Sequence, residues 1–183
     1  TAVHNTVLVD GLEQMNRASR FLWLDWSDGR VLKKEDGSLV AYHNGYDALG
    51  VLHKRVVRCI DPLHWVVEEE MIPRLLTDDT EHEFQLHWLL PDWQWALKGS
   101  TLTLQKDSSI VSLTVSKDVD VQPEIQLCRA GEVISGGGEC IPQMGWYSPT
   151  YSVKEPALSF VFKVRSTLPV RITTDWTFEE TQD

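Results

Sequence analysis

The densest set of proton-moving groups in this chain is Tyr42-His43-Asn44-Gly45-Tyr46, followed seven residues later by His53-Lys54-Arg55. A phenol and an imidazole can act as acid and base, and Arg55 or Lys54 can orient an anion. The same residues also fit a glycine-containing turn and a strand whose basic side chains face water. Because nothing here fixes a nucleophile beside a base, that second reading is preferred. Arg58 extends the basic stripe.

His4 could bind a metal through one ring nitrogen. A metal site needs three or four ligands, however, and no HxH, HExxH or Cys/His cluster accompanies it, so alone it reads as a polar histidine at a strand end. Trp93-Gln94-Trp95 would put two indoles on one strand face, where flat rings can cover the apolar faces of a sugar. The other tryptophans, Trp23, Trp26, Trp65, Trp88, Trp146 and Trp176, are scattered as core aromatics are.

Glu68-Glu69-Glu70 and Thr77-Asp78-Asp79-Thr80-Glu81 supply much of the acidity. Paired carboxylates can hydrolyse glycosides, but neighbours on a strand point to opposite faces, so both runs read as solvated edge and loop. No GxSxG, P-loop or GxGxxG motif occurs, and the Ser135-Gly136-Gly137-Gly138 loop precedes Glu139 instead of a Lys-Ser/Thr helix start.

These groups must be positioned almost entirely by strands. Leu158, Phe160, Phe162 and Val164 alternate with Ser159, Val161, Lys163 and Arg165, which gives an apolar face and a wet one except at Val161. Val111, Leu113 and Val115 alternate with Ser112, Thr114 and Ser116 in the same way. His82, Phe84, Leu86 and Trp88 lie opposite Glu83, Gln85 and His87. Asp28-Gly29, Asp36-Gly37 and Asn44-Gly45 predict tight turns, with a hairpin about Glu35-Asp36-Gly37. Helix signals are confined to Leu12 to Ser19 and Glu68 to Leu76, and Pro73 interrupts the second. About a dozen strands exceed what one flat sheet holds, so the expected fold is all-β: one large antiparallel two-sheet β-sandwich over residues 1–183.

A net charge of -10 repels polyanions, which argues against a nucleic-acid partner. No apolar run reaches the ~20 residues of a membrane span. Cys59, Cys128 and Cys140 are too few for a disulfide scaffold, but the eleven residues between Cys128 and Cys140 include a glycine loop that could bend, so one bridge stays open. A strand-and-turn signal within the first eleven residues, with no initiator Met or secretion signal, suggests part of a longer chain.

Four segments together resemble the C-terminal β-sandwich domain of the heparinase II/III-like polysaccharide lyases. They are His4-Asn5-Thr6-Val7 with Asp10-Gly11; His43-Asn44-Gly45-Tyr46 with His53-Lys54-Arg55; His87-Trp88-Leu89-Leu90-Pro91; and Gly145-Trp146-Tyr147-Ser148-Pro149 with Tyr151, then Leu168-Pro169. The resemblance implies a bacterial, periplasmic or extracellular parent in which an upstream α-helical toroid is this domain's partner. It also implies cleavage of uronic-acid-containing polysaccharide by β-elimination, with Tyr and His as the main base and acid and an Asn-like group neutralising the carboxylate.

Those catalytic segments lie upstream in the family, so this chain is expected to be inactive alone and to carry no catalytic residue. His43, Tyr46, His53 and Arg55 become interface or substrate-proximal candidates. The resemblance further implies a structural zinc in the full-length parent, held by an upstream His, an upstream Asp and His4. One imidazole cannot hold zinc tightly, so no cofactor is expected in this chain itself. The alternative is a freestanding carbohydrate-binding module using Trp93 and Trp95, or a structural interaction module.

Overall fold

A computed structural model describes residues 1–19, 21–35, 37–75 and 79–180. Its strands are β1 (Val7–Val9), β2 (Asn16–Arg17), β3 (Trp23–Leu24), β4 (Gly29–Glu35), β5 (Ser38–Tyr46), β6 (Val51–Asp61), β7 (His64–Pro73), β8 (Glu81–Leu90) and β9 (Gln94–Lys98). Then come β10 (Thr101–Lys106), β11 (Ser109–Lys117), β12 (Glu124–Arg129), β13 (Glu132–Gly136), β14 (Trp146–Tyr147), β15 (Glu155–Pro156), β16 (Leu158–Thr167) and β17 (Val170–Glu180). The helical content among the described residues is a single 3-10 turn, Asp47–Leu49. No helix is long and apolar enough to cross a membrane.

Two antiparallel sheets form the sandwich. One runs β4-β5-β6-β7-β17-β11-β10-β9 and the other β1-β8-β16-β12-β13, while β2-β3 and β14-β15 are small separate ribbons. The β16–β17 connection, with a cis Leu168–Pro169 peptide, passes from the smaller sheet to the larger. Alternation fixes what lies between them: Phe84 and Leu86 of β8 and Phe160 and Phe162 of β16 face Leu102, Leu113 and Ile172 in one core. Burying each such side chain contributes about 1.5–3 kcal/mol.

Several local expectations are corrected. The segment from Glu68 is not helical: β7 continues through Pro73, because cross-strand bonds to β6 and β17 satisfy its backbone. Leu76, Thr77 and Asp78 lie outside the described residues, as does Asp36 of the predicted hairpin, although β4 and β5 do pair around it. The 12–19 segment forms the β2 arm of a ribbon, not helical turns.

Of the three predicted turn glycines, only Gly37 has positive φ, at 76°. Gly29 opens β4, and Asn44-Gly45 is a register shift inside β5 instead of a turn. Gly45 is needed there for close approach, since a Cβ would sit 2.9 Å from the Gln14 side chain and 3.1 Å from the His43 ring.

The outer face of the smaller sheet is also drier than alternation suggests. Ser159 and Val161 are both buried, Val161 in a satellite cluster with Cys128 and Met144 that Val3 and Cys140 pack against. Gly145 closes this cover at φ 72°. Its N–H bonds Ser159 Oγ at 2.8 Å, and its carbonyl accepts from Ala130 (2.8 Å) and Ala157 (2.9 Å). A Cβ would lie 2.6 Å from the Ala130 nitrogen. Gly145→Ala is therefore expected to destabilise the fold by about 2 kcal/mol or more, read as a fall in the urea midpoint at unchanged slope.

Candidate functional site

The inward side of β6 carries Val51, His53, Arg55 and Val57, and that of β7 carries Val67, Glu69 and Met71. Strand register sets Arg55 directly opposite Glu69, and His43 of β5 opposite His53. Glu69 is wholly buried and His53 nearly so. The Glu68–Glu70 run is thus not simply solvated. Glu68 and Glu70 face outward to Arg58 and to Lys54 and Arg171, while alternation drives Glu69 into the sandwich. Similarly, Lys54 points out as expected, but His53 and Arg55 point in.

The buried groups form a directed chain. The Gly45 N–H donates to His43 Nδ1 at 3.1 Å, so the ring proton of His43 sits on Nε2 and is donated to His53 Nδ1 at 2.8 Å. His53 then donates from Nε2 to Glu69 Oε2 at 2.7 Å. The other carboxylate oxygen, Oε1, accepts from Arg55 Nε at 2.8 Å and from its Nη2. Arg55 Nη2 also reaches the Asn5 carbonyl at 2.8 Å, and the guanidinium lies 5.7 Å from the Trp88 ring centre.

Burial is the largest influence on Glu69 and pushes its pKa up, but the bonds and charges of His53 and Arg55 outweigh it and hold the carboxyl below its ordinary value. Burial, then the neighbouring His53, lower His43 from 6.5 to about 4. Burial raises the Tyr46 phenol well above its ordinary value; this side chain is 2% exposed and donates to the Val7 carbonyl at 2.8 Å. Tyr46 is therefore held as a donor, its ring 5.7 Å from that of His43.

A second chain runs through the outer face of the smaller sheet. His87 donates from Nδ1 to the His4 carbonyl at 3.0 Å and accepts at Nε2 from Ser159 Oγ at 2.8 Å, while that oxygen accepts from Gly145. Asn5 Oδ1 caps the Leu89 N–H at 2.7 Å, and the Thr6 carbonyl accepts from the His87 N–H at 3.1 Å. Groups from the His43–Arg55 and His87 segments thus bond residues 4–7 directly, and Gly145 reaches them only through Ser159 and His87. The carbonyls of His4, Asn5, Thr6 and Val7 accept, in turn, from His87, Arg55, the His87 backbone and Tyr46.

Beside this junction lies an open cleft of about 660 Å³, lined by His4, Asn5, Trp93, Lys106, Tyr147 and Glu155 among others. Trp93 is half-buried with part of its ring against the core, and Tyr147 is 52% exposed. Trp95, in β9, lies outside that lining and is 37% exposed. Lys154 lies 3.5 Å from the ring centre of Trp146. The site residues not anticipated are Glu69, His87, Lys106 and Tyr147. A signal existed for Glu69, which shares a strand face with Val67 and Met71.

The His4 side chain is exposed, and among the described residues no group of three or more His, Cys, Asp or Glu is arranged to hold a metal. The described residues do not fit a zinc site by themselves.

Comparison with known proteins adds a consistent pattern. A family model described as "Heparinase II/III-like, C-terminal" matches residues 1–178. Among solved structures, a heparinase III gene product with methylated lysines aligns at 19% identity and TM-score 0.69, covering 98% of this chain and 24% of that one. The heparan sulfate lyase HepC from Pedobacter heparinus aligns at 14% identity and TM-score 0.70, covering 100% and 25%. A further heparinase III aligns at 13% identity and TM-score 0.63, covering 98% and 24%. The chain thus spans about a quarter of the length of these structures. No curated protein matches.

Proposed function

Because the chain belongs to the heparinase II/III-like C-terminal family, we propose that it is the non-catalytic sandwich of a polysaccharide lyase that cleaves uronic-acid-containing chains by β-elimination. Its work is to hold one wall of the substrate cleft. The observation that carries this reading is the set of bonds by which Tyr46, Arg55 and His87 hold the carbonyls of residues 4–7. Their ionisable groups are spent on one another and on backbone carbonyls, as rigid positioning requires and as an open acid–base pair does not.

The partner in this reading is the parent's α-helical domain. Exposed apolar side chains support it: Phe21 is 89% exposed, Trp26 79%, Val31 64% and Leu32 58%, all within one short stretch of chain. The glycan-facing wall is the cleft, where Trp93 and Tyr147 offer ring faces and Lys106 and His4 offer groups for an anionic sugar.

The full-length protein is expected to release unsaturated uronate product from heparan, alginate or another uronate polymer, followed by ultraviolet absorbance, while the 183-residue chain releases none. A full-length protein inactive on all of them would overturn the proposal. Trp93→Ala and Tyr147→Ala in the active protein are each expected to raise KM by roughly 5–10-fold with kcat nearly unchanged, since a lost ring contact is worth about 1 kcal/mol. The partial exposure of Trp95 favours a second reading, a freestanding carbohydrate-binding module. Glycan binding by the chain alone, abolished in Trp95→Ala, would support that reading instead.

A further inference from the structure

Cys128 and Cys140 come together on the outer face of the smaller sheet, away from the charge chain at Glu69. Cys128 sits in β12, wholly buried between Val161 and Met144, and the half-buried Cys140 packs on the same cluster from the 137–145 loop. Burial, then the neighbouring Cys140 thiol, push the Cys128 thiol well above its ordinary pKa, while the Cys140 thiol is itself directed to the Ile141 carbonyl at 3.5 Å.

Backbone and amide bonds fix that approach independently of sulfur chemistry. Gln126 Nε2 donates to the Gly137 carbonyl at 2.8 Å, the Gly131 N–H to the Met144 carbonyl at 2.8 Å, and the Ala130 N–H to the Gly145 carbonyl at 2.8 Å. Gly136 and Gly138, at φ 87° and 88°, turn the chain back over β12. A short loop already held closed by the fold keeps Cys140 packed on the cluster that contains Cys128, so pairing the two needs little further ordering.

We propose that Cys128 and Cys140 form an intrachain dithiol–disulfide site whose co-reactant is a small-molecule disulfide. Cys140 is the more accessible thiol. Its thiolate attacks one sulfur of the oxidant and expels the other as a thiolate, leaving a mixed disulfide on Cys140. Cys128 then loses its proton and attacks the Cys140 sulfur, expelling the second thiolate. Two protein thiols are oxidised to one disulfide, one small disulfide is reduced to two thiols, and the two protons pass to the expelled thiolates. The bond would pin the 137–145 loop, and with it the Gly145-Trp146-Tyr147 segment that reaches the cleft wall. Cys59 stays outside the pair, in β6, its thiol directed to the Asp61 carbonyl at 3.3 Å.

The test is incubation of the intact protein with oxidised glutathione, alkylation of the remaining thiols and peptide mapping. The expected product joins the peptide containing Cys128 to the one containing Cys140, with Cys59 alkylated. The melting temperature should rise by roughly 5–10 °C and return on adding a reductant. Cys140→Ser is expected to abolish both effects and Cys59→Ser to leave them. The proposal is overturned if Cys128 and Cys140 are both recovered alkylated, if the link runs through Cys59, or if glutathione remains attached to Cys140 without resolution by Cys128.

Discussion

Glu69→Gln should lower the unfolding free energy by about 3–5 kcal/mol, the largest single-residue effect expected on the sheet face that carries it. Glu69 is wholly buried and is the only carboxylate bonded to both Arg55 and His53 among the described residues. Glutamine keeps its size but removes the charge and replaces one acceptor oxygen by an NH2 donor, so either His53 or Arg55 faces a donor and the guanidinium loses its carboxylate. The penalty comes from the unmatched buried donor and the unpaired, partly exposed guanidinium more than from the lost attraction, because a buried ion pair gains little over well-packed apolar residues.

Two comparisons separate these terms. Glu70→Gln, one residue along but on the wet face with Lys54 and Arg171, should change stability by about 1 kcal/mol or less. Replacing the pair together, as Arg55→Met with Glu69→Leu, should recover most of the Glu69→Gln loss. Urea unfolding at constant slope measures all three. A Glu69→Gln loss no larger than that of Glu70→Gln would mean that water reaches the triad and that the chain from His43 to Arg55 is not the rigid element described.

The contrast between Glu69 and Glu70 also marks how far the sequence could be read. Period-two alternation placed Phe84, Leu86, Phe160 and Phe162 in the core, because one face of each strand must be apolar when two sheets stack. The same rule applied to β7 puts Glu69 with Val67 and Met71. A run of three glutamates masks it, since composition says solvent where periodicity says interior. Register was not legible at all: that His43 lies opposite His53, and Arg55 opposite Glu69, depends on a bulge at Asn44-Gly45 that the sequence presents as a turn.

His87 illustrates the other gap. It alternates onto the outer face of β8 and reads as wet, yet the loop around Gly145 returns over it from nearly sixty residues away and makes it 1% exposed. Long-range covering of a sheet's outer face leaves no local pattern. Nothing local in the four recognisable segments says that Tyr46, Arg55 and His87 bond the carbonyls of residues 4–7, because those bonds join strands far apart in the chain.

That anchoring makes the protein sensitive to mild acid. Burial lowers both His43 and His87 from 6.5 to about 4. Between those values the unfolded chain carries a proton on each histidine that the folded chain does not. The unfolded state then binds more protons, so stability rises with pH across the window and falls as pH drops from about 6.5 toward 4. Glu69 works in a lower window. Its folded pKa is held below its ordinary 4.5, so its contribution is present above that value and is lost as pH falls through the folded pKa. Acidification should therefore weaken the fold in two stages, the histidines first and the carboxylate after.

The groups facing each histidine agree with this order. His43 meets His53, Arg55 and Glu69, and His87 lies near His4 and the chain's amino terminus; in each case burial dominates the net shift. Protonating His43 would set its Nδ1–H against the Gly45 N–H, donor against donor, and protonating His87 would turn a donor toward Ser159 Oγ, which already receives the Gly145 N–H. Urea unfolding from pH 7 to pH 4 should show the uptake of up to about two protons per molecule on unfolding. His43→Gln and His87→Gln should each remove about one of them near pH 5, between the two pKa values, and less toward either end of the range. Resonances assigned to the His43 or His87 imidazole that titrate near pH 6.5 in the folded protein would sink the argument, and with it the claim that both anchors are closed to water.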